Sequence, residues 1–118
     1  MRHVTRLPMV LDECIRDVES LLAAHRAHAL EAFNLKIGKA GGLTRAKLLR
    51  DLAHELGLRV TIEDSWGGDL VTAAVSHLAA STAAGTLFTV SFMNDWTNEH
   101  LAGHEPRSRQ GMGAAPAA

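Results

Sequence analysis

The chain opens on a short apolar run, Leu7 to Leu11, which passes through Pro8 and is closed by two acids, Asp12 and Glu13. A run of this length predicts a strand buried on both faces. The period then changes. Ile15, Val18, Leu22 and Ala29 recur at helical spacing while Arg16, Asp17, Glu19 and Arg26 fill the opposite side, which predicts a surface helix from Arg16 to His28 covering a core. Ala32 to Leu35 is a second apolar run that ends at Lys36 and is followed by the glycine-rich turn Gly38 to Gly41. Thr44 then stands where an N-cap is expected, ahead of a helix from Arg45 to Leu56 with Ala46, Leu49, Ala53 and Leu56 on one stripe and Gly57 as its stop. Arg59 to Glu63 reads as a third strand. The polar stretch Asp64 to Asp69 leads from it into a helix whose apolar face holds Val71, Ala74, Val75 and Leu78, and Leu87 to Val90 reads as a fourth, buried strand.

The strand positions Leu11, Leu35, Ile62 and Val90 are separated by 24, 27 and 28 residues, so a strand-helix unit repeats at nearly constant period. Such a repeat predicts an α/β fold with a parallel sheet. After Thr97 the chain becomes rich in Gly, Pro, Arg and Ala, and apolar periodicity is lost. The expected division is a folded region over residues 1–104 and a poorly ordered tail over 105–118.

Composition changes this picture little. Of 118 residues 47% are hydrophobic and 21% charged, with 12 basic and 13 acidic residues spread along the chain, which leaves no basic stripe for nucleic acid or an anionic membrane surface. The single cysteine, Cys14, has no internal partner for a disulfide, and a reducing cytoplasm is the expected compartment. The apolar run before Asp12 is too short for the core of a signal peptide. Leu70 to Asn94 has no Asp, Glu, Lys or Arg over 25 residues, a length that reaches across a bilayer. His77, Ser81-Thr82 and Gly85 interrupt it and its halves differ in period, so the expectation is helix, turn and strand rather than a span.

Candidate chemistry follows from where the polar residues fall. In parallel α/β folds the carboxyl ends of strands gather loop side chains and backbone donors. Here those ends are Asp12-Glu13, Lys36, Glu63-Asp64 and Asn94-Asp95. Carboxylates on neighbouring strands suit Mg²⁺, which takes hard oxygen ligands, and a lysine beside such a cation has its pKa lowered toward the range of a working base. Gly38 to Thr44 is not a phosphate loop, because Lys39 precedes the glycines instead of following them. The pairs His25/His28 and His100/His104 have helical spacing but no third ligand nearby and are read as surface histidines. Trp66 and Trp96 are read as packing groups.

Three stretches, Leu11-Asp-Glu-Cys-Ile15, Leu35-Lys-Ile-Gly-Lys-Ala-Gly-Gly-Leu-Thr44 and Ile62-Glu-Asp-Ser-Trp-Gly-Gly-Asp69, resemble the fifth, sixth and seventh barrel strands of the mandelate racemase and muconate lactonising group of the enolase superfamily. The resemblance implies a partial TIM (β/α)8 barrel, strands five to eight with their helices, of the enolase C-terminal domain-like kind. It implies that Asp12 ligates Mg²⁺, that Glu13 supports it, and that Lys36 is the acid/base for a proton α to a carboxylate. The 24-residue separation of Asp12 and Lys36 is that of the muconate lactonising type. The third stretch is similar to members acting on proline-like amino acids and betaines, which makes Glu63 and Asp64 candidate contacts for a substrate ammonium.

The same family draws two more metal carboxylates from its third and fourth strands, a second base from a Lys-x-Lys pair on its second strand, and a capping domain, out of a barrel of roughly 250 residues. None of these is in this sequence. The expectation is a fragment of a Mg²⁺-dependent racemase, epimerase or dehydratase, inactive as an isolated chain. The alternative is a non-catalytic half-barrel that pairs with another chain, since open edges of a sheet invite pairing.

Overall fold

A computed structural model describes residues 4–63, 66–101 and 106–116. Four strands, β1 (Val10–Leu11), β2 (Ala32–Lys36), β3 (Arg59–Glu63) and β4 (Leu87–Val90), lie side by side in chain order and all run parallel. Between them run helices α1 (Val18–Arg26), α2 (Ile37–Ala40), α3 (Leu43–Glu55) and α4 (Gly68–Ala80), and a 3₁₀ turn (Met93–Trp96) follows β4.

Strand alternation sorts the sheet into two faces. Phe33, Leu35, Val60 and Ile62 point one way and form one core with Leu21 of α1, Leu49 and Ala53 of α3, and Val75 and Leu78 of α4. Phe33, Val60 and Ile62 have no exposure at all. Burial of each such side chain is worth about 1.5–3 kcal/mol, so this layer accounts for much of what holds helices to sheet. Asn34, Lys36, Thr61 and Glu63 point the other way. A parallel sheet in sequential order with its helices on one side is an arc of a singly wound barrel, and the polar side is its interior.

Several local expectations are corrected. The first helix begins at Val18, because Asp17 caps it: the Asp17 carboxylate accepts from Ser20 N while Asp17 N donates to Ser20 Oγ. It stops at Arg26, and His28 turns left-handed at φ +49°, which leaves Ala29 outside the helix. Thr44 is no cap. The helix starts two residues before the expected Arg45, at Leu43, behind Gly41 and Gly42, whose φ angles of +89° and +105° turn the chain between α2 and α3. Only Val10 and Leu11 of the first apolar run form a strand. Nor are the outer strands buried on both sides, since Val10 is 45% exposed and Phe88 51% exposed, each lying on a strand with a single neighbour.

The uncharged stretch divides as expected into α4 and β4. Among the described residues no helix is long and apolar enough to cross a membrane. The boundary drawn between residues 104 and 105 falls outside the described residues. Beyond it, Asn94 Nδ2 donates to Pro106 O, Ser108 donates to the Asp95 carboxylate, and Arg109 pairs with Met112 across a tight turn at Gln110 and Gly111.

Candidate active site

Lys36 is the last residue of β2, on its polar face, and faces Glu63 across the β2–β3 register. Its ammonium is 2.5 Å from Asp12 Oδ1, 2.8 Å from Glu13 Oε1 and 3.5 Å from Glu63 Oε1. Only 11% of the Lys36 side chain is exposed. A long, flexible cation at the end of β2 is thus held at one point by three carboxylates from the ends of the two flanking strands, β1 and β3. Asp12 and Glu13 reach it from the turn after β1, which is closed by a hydrogen bond from Ile15 N to Asp12 O.

Around this centre stand two further residues. Asn34, two positions before Lys36 and on the same face, donates from Nδ2 to Asp12 Oδ2 at 3.2 Å, so each oxygen of Asp12 has a donor. Lys39 pairs with the far oxygen of Glu13. Sequence reasoning passed over Asn34, although a polar residue at an alternate position of an otherwise apolar strand was the available signal. Asp64 lies outside the described residues.

Two opposed effects act on each central group. Burial alone would raise the Asp12 pKa, but the hydrogen bonds from Lys36 and Asn34 and the charges of Lys36 and Lys39 outweigh it and hold the carboxyl below its ordinary 3.8. Burial alone would lower the Lys36 pKa, but the hydrogen bond and charge of Asp12 and those of Glu63 hold it above its ordinary 10.5. With these partners Lys36 is an ammonium and Asp12 a carboxylate at neutral pH.

Asp12, Glu13 and Glu63 fit Mg²⁺ in kind, being hard oxygen donors converging where a positive charge already sits. In number they fall short: among the described residues no three His, Cys, Asp or Glu side chains form a metal-binding group. By themselves these carboxylates do not make a complete ligand set. Among the described residues no histidine adds to them. His100 is only 15% exposed and bonds to Asp69, away from the Lys36 cluster, and His104 is outside the described residues. Trp66 and Trp96, expected as packing groups, are 66% and 75% exposed and lie beside each other, their rings tilted by 55° with centroids 6.3 Å apart.

A parallel β/α arc with helices outside, a polar interior and charged groups gathered at its carboxyl end defines part of a barrel of the enzyme-bearing kind. The chain belongs to the enolase C-terminal domain-like family, whose pattern it matches over residues 1–118. It is 44% identical over 111 residues to the cis-3-hydroxy-L-proline dehydratase of Roseibium aggregatum, a match covering 94% of this chain and 30% of that protein. Its fold superposes with a TM-score of 0.91 on a mandelate racemase/muconate lactonizing enzyme from Roseovarius nubinhibens ISM, at 33% identity over 98% of this chain and 31% of the other. A magnesium-complexed enolase superfamily member from the same organism gives a TM-score of 0.90 at 34% identity, covering 99% of this chain and 32% of that one. The chain spans about a third of the length of these relatives.

Proposed function

We propose that this chain is the Lys36-bearing arc of a barrel that removes the proton α to a carboxylate, and that its substrate is a cyclic amino acid with a hydroxyl on the neighbouring carbon. The observation that carries the reading is Lys36 itself, a largely buried lysine held at a strand end by three carboxylates. Lysines are seldom buried away from a task or a partner. The substrate class is supported by the 44% identity to a cis-3-hydroxy-L-proline dehydratase.

In this reading Lys36 works as a base after its ammonium has given up a proton, and every carboxylate drawn away from Nζ favours that loss. Asp12, with Glu13 and Glu63 near it, would hold Mg²⁺ together with carboxylates from outside this chain; the ion, when bound, supplies positive charge beside the substrate carboxylate. Lys36 takes the α-proton at Nζ. The electron pair left behind forms a carbon-carbon double bond as the neighbouring hydroxyl departs, and the proton leaves with it as water. Glu63, which faces Lys36 across the register, would meet the substrate ammonium in this reading. A compartment without disulfide chemistry, the cytoplasm, suits a chain with one cysteine.

The test joins this chain to the remaining barrel strands and cap of the dehydratase relative and follows cis-3-hydroxy-L-proline by proton NMR with Mg²⁺ present. Loss of water from the substrate is expected, and Lys36→Ala should slow it by about 10²–10⁴-fold, the usual contribution of a general base. An unchanged rate in Lys36→Ala removes the assignment of the base. An intact substrate alongside α-proton exchange would keep the base and remove the substrate class.

A second reading rests on the sheet edges. Val10 and Phe88 are half exposed on the two outermost strands, and strand edges of this kind pair with further strands. In that reading the chain is a pairing module, and its partner is another chain that continues the sheet.

A further inference from the structure

A second polar cluster lies at the carboxyl end of β3 and β4, centred on a carboxylate that the Lys36 chemistry does not use. Asp69, in the first turn of α4, has a side chain with no exposure. Its Oδ1 accepts from His100 Nδ1 at 2.8 Å and from Asn94 Nδ2 at 3.3 Å, and its Oδ2 accepts from Leu101 N at 3.0 Å. Asn94 is fully buried in the 3₁₀ turn, and its amide nitrogen faces two acceptors, Asp69 Oδ1 and Pro106 O, which fixes the orientation of the group.

The remaining contacts fix the histidine. Arg107 approaches His100 Nε2 to 2.7 Å and also bonds to Asp95 O and Thr97 O. A guanidinium has donors only, so Nε2 accepts and the ring proton sits on Nδ1, toward Asp69. Among the described residues, Asn94, His100 and Leu101 thereby fasten the chain after β4 to α4.

We propose that Asp69 is a positioning residue, which locks the chain after β4 onto the first turn of α4 and so sets the geometry of the Trp66–Trp96 pair at the rim of the barrel. Trp66 lies three residues before Asp69, and Trp96 two residues after Asn94. The two rings are tilted by 55° at 6.3 Å, yet both are largely exposed, so burial in the core does not hold them there. The backbone segments that carry them do, and Asp69 is where those segments are tied. This inference is independent of the reading of Lys36.

Trp66 and Trp96 are the two tryptophans of the chain, so indole-indole coupling in circular dichroism reports this pair alone. The full chain should show a coupled indole signal that Trp96→Phe abolishes. Asp69→Asn keeps the shape of the side chain but offers one oxygen where Asn94, His100 and Leu101 present donors to both. It should lose the coupled signal while helix content is kept. A signal retained in Asp69→Asn, or absent from the unsubstituted chain, overturns the proposal. Should Asp69→Asn unfold, nitrogen-15 NMR of the unsubstituted protein decides, with His100 assigned by His100→Gln. A proton on Nδ1 upholds the tie to Asp69, and a proton on Nε2 overturns it.

Discussion

At the scale of single residues, the charge on Lys36 and the carboxylates around it depend on one another, and this makes the site sensitive to pH at both extremes. The Asp12 pKa is held below 3.8 in the folded chain, so its share of stability is present above that value and is lost as the pH falls through the lower, folded pKa. The Lys36 pKa is held above 10.5, so its share is present below that value and is lost as the pH rises through the folded pKa. Asp12 is 42% exposed, and solvent screening keeps the pair to about 0.5–1 kcal/mol. Urea unfolding across pH should therefore show a decline below pH 3.8 that is smaller in Asp12→Asn and a decline above pH 10.5 that is smaller in Lys36→Met. Equal declines in the variants would mean that these groups are not linked to folding. Lys36 and Asp12 were legible in the sequence because each closes an apolar run, and the motif around them is contiguous. Asp69 was not, since its donors Asn94, His100 and Leu101 stand 25 to 32 residues away and no local pattern joins them.

Individual elements were legible where a period had room to repeat. α3 and α4, with 13 residues each, came through within a few residues, whereas the two-residue β1 was overestimated. What the sequence pattern could not show is how elements are joined through polar groups. Arg50, in the middle of α3, belongs to the helix pattern as an ordinary solvent position, yet it is 6% exposed. Its guanidinium donates to Ser81 O at 2.9 Å and Thr82 Oγ1 at 2.9 Å, so a side chain of α3 satisfies the carboxyl end of α4, while its Nε pairs with Asp51. Removing it leaves a carbonyl that has lost a charged donor. Arg50→Met should cost about 2 kcal/mol in urea unfolding, the range for hydrogen bonds from charged groups, and the loss should fall on α4 in hydrogen exchange. A change under about 0.5 kcal/mol would show the contact to be incidental, as most surface substitutions are.

For the whole molecule, the sequential parallel order and the single layer of helices make the described residues an arc, with an apolar outer face covered by helices and a polar inner face. Periodicity sufficed to predict the parallel sheet, but not which strands would be its edges: Leu87 to Val90 is as apolar as a central strand and yet half exposed. Edges of that kind favour association. The 118-residue chain by itself should show a concentration-dependent mass by light scattering, and a monomer that stays dispersed at high concentration would contradict the need for a partner at β1 or β4. In the proposed function the site follows the same logic, since Asp12, Glu13 and Glu63 would hold Mg²⁺ only together with further carboxylates. The most direct measurement is α-proton exchange in heavy water, followed by NMR on cyclic amino acids, in a completed barrel containing this chain with Mg²⁺ present. Deuterium should enter at the α-carbon with Lys36 in place and should not enter above background with Lys36→Ala. Exchange at the same rate in both, or in neither, would contradict the role given to Lys36.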